Sequence, residues 1–269
     1  MRRFVPVGVT YKAGEKYPNY RKFRYSGEKC IGQTRVVLKN RGKGCDFINA
    51  NWVGSPAPGA TKYICTQAPL KETQEDFWHM CFTEKASLIL MLCDFTEGYF
   101  TLSRKTSSHY FPEKQNETLN FGAYTVTMKD KLNGPEIEKT DFTVLEIKCI
   151  ASCDIGWTFA LPSRPNPFSS CGVVVLCATG EGRVPTFAGI ELTAHRITSK
   201  PEIDMMDVVK ELRKQRFAAI SSTFQFLYLH YLVLDYFVQE KLLVPHHQSL
   251  FVEEYRRIVT DRLQRVSVH

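Results

Sequence analysis

No stretch of this 269-residue chain is long and apolar enough to read as a membrane span. The most hydrophobic run, 224–237, is interrupted by Gln225, His230 and Asp235, and it reads as a core helix. The opening residues, Met1 to Val9, are too short and too broken by Pro6 for a signal peptide. No Gly/Ser-rich or Pro-rich linker and no internal repeat divides the chain, so one domain is expected over 1–269, with 1–23 as its N-terminal extension. There is no dense Lys/Arg run with interleaved aromatics, which argues against a nucleic-acid surface. The net charge of +7 suits an anionic ligand without demanding one. The nine cysteines are an odd number and lack metal-ligand spacing. No metal and no other cofactor is expected, and without a secretory signal the thiols read as reduced, which implies a cytoplasmic protein.

What is present is a hydrophobic fraction of 43%, enough for a sizeable core. Apolar runs and alternation predict strands at 36–38, 47–53, 62–66, 88–92, 121–128, 142–151 and 172–176. Helical periodicity predicts helices at 73–83, 185–198, 204–215, 224–239 and 248–265, after a loop-rich start to about residue 38. Asp204 is a plausible helix cap, with Met205, Val208, Val209 and Leu212 as the apolar stripe behind it. Strands in the middle and helices late imply an α/β (α+β) fold with a mixed sheet flanked by helices.

The segment Leu176-Cys177-Ala178-Thr179-Gly180-Glu181-Gly182-Arg183 carries the most information. The apolar run Val173–Leu176 reads as a buried strand, and an amphipathic stretch from Val184 to Arg196 reads as a helix. Between them lies a small-residue turn. Backbone N–H groups of a tight turn and of a helix N-terminus converge on an anion, and an arginine adds a two-pronged donor. The same field favours a thiolate, so Cys177 would be nucleophilic and, if exposed, oxidation-sensitive. Free cysteine is also among the most buried residue types. The local pattern alone therefore leaves two readings open, an anion-binding turn and an ordinary buried thiol.

Neighbouring blocks narrow the choice. The segment resembles the phosphate loop of the classical cysteine-based protein tyrosine phosphatases, whose pattern is His-Cys, five residues, Arg, then Ser or Thr and Gly. Asp46-Phe47-Ile48-Asn49-Ala50-Asn51 resembles the family's Asp-Tyr-Ile-Asn-Ala. Tyr63-Ile64-Cys65-Thr66-Gln67-Ala68-Pro69-Leu70 resembles Tyr-Ile-Ala-Thr-Gln-Gly-Pro-Leu. Thr73 with Asp76-Phe77-Trp78-His79-Met80 resembles Thr-x-x-Asp-Phe-Trp-x-Met, and Tyr110-Phe111-Pro112 resembles Tyr-Trp-Pro. The ordered blocks run from about Arg24 to Gln239, and wording such as Met91-Leu92-Cys93-Asp94-Phe95 resembles divergent nematode members.

The resemblance implies a twisted mixed central sheet with helices on both sides. It implies that Cys177 attacks phosphorus to form a cysteinyl-phosphate and that Arg183 grips the phosphate oxygens. The backbone of Ala178, Thr179, Gly180, Glu181 and Gly182 would form the cradle. Tyr25, preceded by Arg24, stands at the family's phosphotyrosine-recognition position, where it either walls a deep cleft or is an ordinary surface aromatic. Gly27 stands where many members carry an Asp that bonds the substrate backbone. Gln225 matches a glutamine near the cleft, or is a polar helix residue facing solvent. Arg213 would buttress the loop, and Gln67 would hold a structural hydrogen bond.

The departures concern chemistry. The family's mobile loop carries Trp-Pro-Asp, whose Asp protonates the leaving tyrosine. Here Trp157 is followed by Thr158 and Phe159, neither of which can donate a proton usefully near neutral pH. Asp154 is the only nearby carboxyl, on the wrong side of the Trp. Leu176 replaces the His before the nucleophile, Val184 the hydroxyl residue after the Arg, and Pro185 a Gly. Ser221 stands where the family has the Gln that positions water. The loop before Tyr110, which normally carries a Glu and a Lys facing the site, has neither at the matching spacing. Loss of a general acid typically costs about 10²–10⁴ in rate. The expectation is a pseudophosphatase-like domain that binds a phosphotyrosine protein or peptide and turns it over poorly or not at all. The alternatives are an active phosphatase using an unusual acid or good leaving groups, and a scaffold whose pocket is closed by Phe159 or Leu176. The sequence leaves the oligomeric state open.

Overall fold

The structure, a computed structural model, describes residues 4, 6–42, 44–56, 60–99, 102–133, 141–149, 156–158, 172–199 and 202–267. A short helical turn, α1 (Lys12–Glu15), and a 3-10 turn over Asn19–Lys22 open the chain. Next come β1 (Arg35–Val37), β2 (Phe47–Gly54), β3 (Lys62–Gln67), α2 (Gln74–Thr83) and β4 (Leu88–Met91). Then follow β5 (Thr96–Tyr99), β6 (Leu102–Lys105), β7 (Thr118–Phe121), β8 (Tyr124–Asn133), β9 (Asp141–Cys149) and β10 (Gly156–Thr158). The chain closes with β11 (Val173–Cys177), α3 (Arg183–Ser199), α4 (Met205–Gln215), α5 (Thr223–Gln239) and α6 (Pro245–Ser267).

The principal sheet has the order β1-β2-β3-β11-β4 and is mixed, as expected. The first strands run antiparallel, and β11 lies parallel to both β3 and β4. A strand with parallel neighbours on both sides is buried on both faces, which is why Val173 to Leu176 reads as an unbroken apolar run. Alternation then sorts its side chains. Val174 and Leu176 join a core with Phe77, Trp78 and Tyr110, which continues into Tyr124, Val126 and Met128 of β8. Val173, Val175 and Cys177 join a second core with residues of α3, α4 and α5, including Val184, Leu212 and Leu229. Burial of each such aliphatic side chain contributes roughly 1.5–3 kcal/mol. Helices thus cover both faces, with α2 on one and α3, α4 and α5 on the other.

The predicted cap and stripe of α4 hold. The Asp204 carboxylate accepts from the Met206 amide at 2.8 Å, and Val208, Val209 and Leu212 are buried. Some expectations change. The strand predicted over 121–128 is a hairpin, because Gly122 takes a positive φ of 61° and the ladder turns there between β7 and β8. The β5–β6 hairpin was not foreseen, since its short polar strands show no apolar alternation. The stretch expected as a mobile loop contains a strand: Trp157 pairs with Ile147 and Thr158 with Glu146. Gly156-Trp157-Thr158 has no proline to break a ladder, and Trp and Thr both favour extended backbone. Phe159 and Asp154 lie outside the described residues. Among the described residues, no helix is long and apolar enough to cross a membrane.

Candidate functional site

Cys177 ends β11 and is 2% exposed. Its carbonyl accepts from the Ala68 amide at 2.8 Å, which fixes the strand end against β3. The chain then turns through Gly180, whose φ is +71°. A Cβ there would stand 2.6 Å from the Thr66 carbonyl oxygen, so both the conformation and the space require glycine.

The carbonyls of this turn all face outward and are held there. Ala178 O accepts from Arg24 Nε at 3.0 Å, Thr179 O from Arg216 Nη2 at 3.0 Å, and Gly180 O from Arg216 Nε at 3.1 Å. Glu181 O accepts from the Ile220 amide at 3.0 Å. Gly182 O accepts from the amide and hydroxyl of Thr186 at 3.2 and 3.0 Å. In a trans peptide the next N–H points the opposite way. The amides of Thr179, Gly180, Glu181, Gly182 and Arg183 therefore turn toward the inside of the loop. One of them, Glu181 N–H, meets the Thr179 hydroxyl at 3.2 Å. The inward amides adjoin the N-terminus of the 17-residue α3, so two sources of positive potential coincide. Inward amides at a helix N-terminus are an arrangement suited to an anion.

Arg183 opens α3 and is half-exposed, with Glu97 of β5 gripping both of its Nη atoms at 2.5 and 2.7 Å. The pairing is bidentate, which fixes the plane of the guanidinium. It holds the Glu97 carboxyl below its ordinary pKa and raises that of Arg183. The Cys177 thiol adds to the upward shift of Arg183, so sulfur and guanidinium share one electrostatic neighbourhood. The loop before Tyr110 has no Glu at the matching spacing, but Glu97 farther back in the chain takes the place beside Arg183. Counting back from Tyr110 along the chain missed Glu97 because the β5–β6 hairpin carries it to the site.

The supports are arginines. Arg24 ties the segment that leads into Tyr25 to the loop, donating also to Ala68 O at 2.9 Å. Arg216 is fully buried and additionally donates from Nη1 to Asn49 Oδ1 and Asn51 Oδ1, each at 2.8 Å. Asn49 and Asn51 lie two apart on β2, hence on one face, and that spacing was a readable signal for a shared partner. Arg213 donates to Ala219 O and Ile220 O at 2.9 and 2.8 Å, so it buttresses the segment that in turn holds Glu181. Gln67 accepts from Asn49 Nδ2 at 2.8 Å and donates to Lys22 O at 2.8 Å, a structural role.

The remaining predicted residues fall as follows. Tyr25 is 42% exposed beside the Arg24 anchor, and Gly27 has a φ of +92°, a conformation that an Asp would adopt only under strain. Gln225 is half-buried. Its Nε2 lies 2.4 Å from where a Cβ on Gly182 would stand, so it packs on the loop. It also closes a reciprocal cap on α5, with Ser222 Oγ accepting from the Gln225 amide at 3.1 Å and Gln225 Oε1 from the Ser222 amide at 3.3 Å. Its role as a solvent-facing helix residue is therefore set aside. Ser222→Ala is expected to cost about 1 kcal/mol in urea unfolding. Ser221 is exposed, with its hydroxyl 3.4 Å from Gln225 Oε1. Val184 is fully buried in the second core, and Pro185 sits in the first turn of α3, where a missing N–H costs little. Leu176 is fully buried in the first core and does not close a pocket, because strand alternation sends it to the face opposite Cys177. Among the described residues, no group of three or more His, Cys, Asp or Glu could hold a metal ion.

The family model described as protein-tyrosine phosphatase matches residues 19–155 and 160–235, lapsing over the stretch with Trp157, Thr158 and Phe159. The chain is 28% identical over 250 residues to receptor-type tyrosine-protein phosphatase C of Homo sapiens, covering 84% of this chain and 19% of that protein. It is 30% identical over 246 residues to tyrosine-protein phosphatase Lar-like of Caenorhabditis elegans, covering 81% and 10%. The chain thus spans a fifth or less of the length of these two relatives. The fold is like that of the catalytic domain of human protein tyrosine phosphatase non-receptor type 18, with a TM-score of 0.69 at 23% identity over 85% of this chain and 88% of that one. With the loop, its arginines and most of the sequence in agreement, the chain belongs to the protein-tyrosine phosphatase family.

Proposed function

We propose that this domain binds phosphotyrosine of a protein or peptide in the loop from Cys177 to Arg183 and turns it over weakly or not at all. The observation that carries the reading is the outward hold on every carbonyl from Ala178 to Gly182, which leaves amides and Arg183 to receive a dianion. The defect in turnover is argued from Thr158 and Phe159, which stand in place of Pro and the acidic Asp. The lapse of the family match over this stretch supports it. A phenol leaves with a pKa near 10, so without a proton donor its departure is slow. Val184 and Ser221 lack the groups that would help the cysteinyl-phosphate hydrolyse. The reading places the domain in the cytoplasm, supported by free thiols at Cys30, Cys45, Cys65, Cys81, Cys93 and Cys177.

A second reading, an active tyrosine phosphatase working through a cysteinyl-phosphate, is favoured by the ordered Glu97–Arg183 pair beside Cys177. One comparison separates the two. Purified protein is assayed on an aryl phosphate with an acidic leaving group and on a phosphotyrosine peptide. Slow turnover of the activated ester, with peptide hydrolysis slower by roughly 10²-fold or more, is the expected result. Peptide turnover as fast as that of the activated ester would discard the degenerate reading. Thr158→Asp or Phe159→Asp should raise peptide hydrolysis by about 10-fold or more. If both leave it flat, the account of the missing acid is wrong.

A further inference from the structure

Away from the phosphate loop, α3 presents a second face with chemistry of its own. Phe187, Glu191, Ala194 and His195 recur at i, i+4, i+7 and i+8, so they share one side of the helix. With Tyr63 of β3 and Tyr236 of α5 they line a cavity of about 480 Å³. The cavity is remote from the cradle. Tyr63 pairs with Val173, at the opposite end of β11 from Cys177 and about 13 Å along the strand.

The walls are largely aromatic. Tyr63 and Phe187 meet edge to face with ring centroids 5.5 Å apart, and Tyr236 stands half-exposed. Into this surround Glu191 brings a carboxylate that is only 25% exposed. Its Oε2 accepts from the Tyr63 hydroxyl, and its Oε1 accepts from the Thr61 amide at 3.1 Å. His195, one turn on, brings Nε2 to 3.5 Å from Oε1. Among the described residues, no Lys or Arg stands within ion-pair distance of Glu191. Burial first, and then the hydrogen bond to Glu191, hold the Tyr63 phenol far above its ordinary pKa, so it stays a neutral donor. The carboxylate is therefore oriented by a phenol and an amide that leave its charge in place. A carboxylate offers about four acceptor positions, and Tyr63, Thr61 and His195 take up three at most. A charge so placed is costly unless a cation meets it.

We propose that this cavity binds a small organic cation, an ammonium carried on an aryl or alkyl stem. The ammonium meets the Glu191 carboxylate, and the stem lies among Tyr63, Phe187 and Tyr236. Aromatic faces attract a cation through their quadrupole, and the adjoining acid fixes where it sits. A small molecule fits the volume, since pockets of about 300–1,000 Å³ hold such ligands between apolar walls and a few convergent polar groups. The chain as a whole carries +7, so no general field draws a cation to this face, and the local chemistry must do so. The site shares no residue with the phosphate loop and does not depend on the binding reading given above.

The test titrates phenethylammonium and its neutral counterpart, phenethyl alcohol, into the whole domain at about pH 8, where imidazole is neutral and the amine charged. Binding is followed by NMR at the amides and methyls of Phe187 to His195. Wild type should bind the ammonium at least about 10-fold more tightly than the alcohol, because a charge-assisted hydrogen bond and a cation–π contact are lost with the charge. Glu191→Gln keeps an acceptor for the Tyr63 hydroxyl but not the charge, and it should bind the two alike. Ala194→Leu fills the cavity without altering the carboxylate and should weaken both. Should Glu191→Gln fail to fold, Ala194→Leu and the ammonium-to-alcohol ratio of the wild type carry the test. Four results each overturn the inference: equal affinity of the wild type for the two ligands, an ammonium preference that survives Glu191→Gln, shifts centred away from α3 and β3, or no shift at about 10 mM ligand. A lysine-containing peptide that binds more tightly than the free amine overturns the small-molecule assignment and gives the site to a partner chain.

Discussion

Arg183→Ala is expected to weaken binding of a phosphotyrosine peptide by about 10²–10⁴, measured by calorimetry. The substitution removes a forked donor whose hydrogen bonds to a dianion are each worth roughly 1.5–3 kcal/mol. It also strands Glu97, whose carboxylate would then face the incoming phosphate without its partner. The double substitution Arg183→Ala with Glu97→Ala should consequently bind better than Arg183→Ala alone, a non-additivity that marks contact. Arg183→Lys keeps the charge but not the fork and should fall short of wild type by about 10-fold. Binding that survives Arg183→Ala within a factor of about two would remove the case for the loop as the ligand site.

Arg216→Leu is expected to be the most destabilising single change in the domain, by about 3–5 kcal/mol in urea unfolding. The side chain has no exposed surface, and it satisfies Thr179 O, Gly180 O, Asn49 Oδ1 and Asn51 Oδ1. Leucine fills only part of the volume and leaves those acceptors buried and unpaired. Arg216→Lys should recover only part of the loss, because one ammonium cannot reach both the loop carbonyls and the β2 asparagines. The carbonyls of Thr179 and Gly180 would then be free to turn, so the inward amides would lose their alignment. Affinity for a phosphopeptide should fall in the folded fraction as well as in the total. A loss below about 1 kcal/mol would show that Arg216 does not carry the loop.

The site was partly legible because some of its residues are neighbours in the chain. Cys177, Gly180, Gly182 and Arg183 lie within one strand–turn–helix unit, and local sterics leave that unit few conformations. Arg213 was readable as a buttress and Gln67 as a structural hydrogen-bonding residue because the flanking blocks are ordered. Glu97 was missed because a hairpin of short polar strands gives no periodic signal. Arg216 was missed because its four acceptors lie on elements up to 167 residues away along the chain. Leu176 was suspected of closing the pocket, and only the alternation of β11 between two cores shows that it cannot.

The amino-acid sequence by itself determined the mixed sheet, the cysteine at the strand end and the arginine at the helix start. These follow from apolar runs, glycine placement and spacing, which act over a few residues. Tertiary structure alone decided which way the loop carbonyls point and which carboxylate holds Arg183. Those outcomes depend on groups far apart in the chain that meet only once the core has packed, and desolvation, which shifts Glu28 and Glu181, does not exist until then.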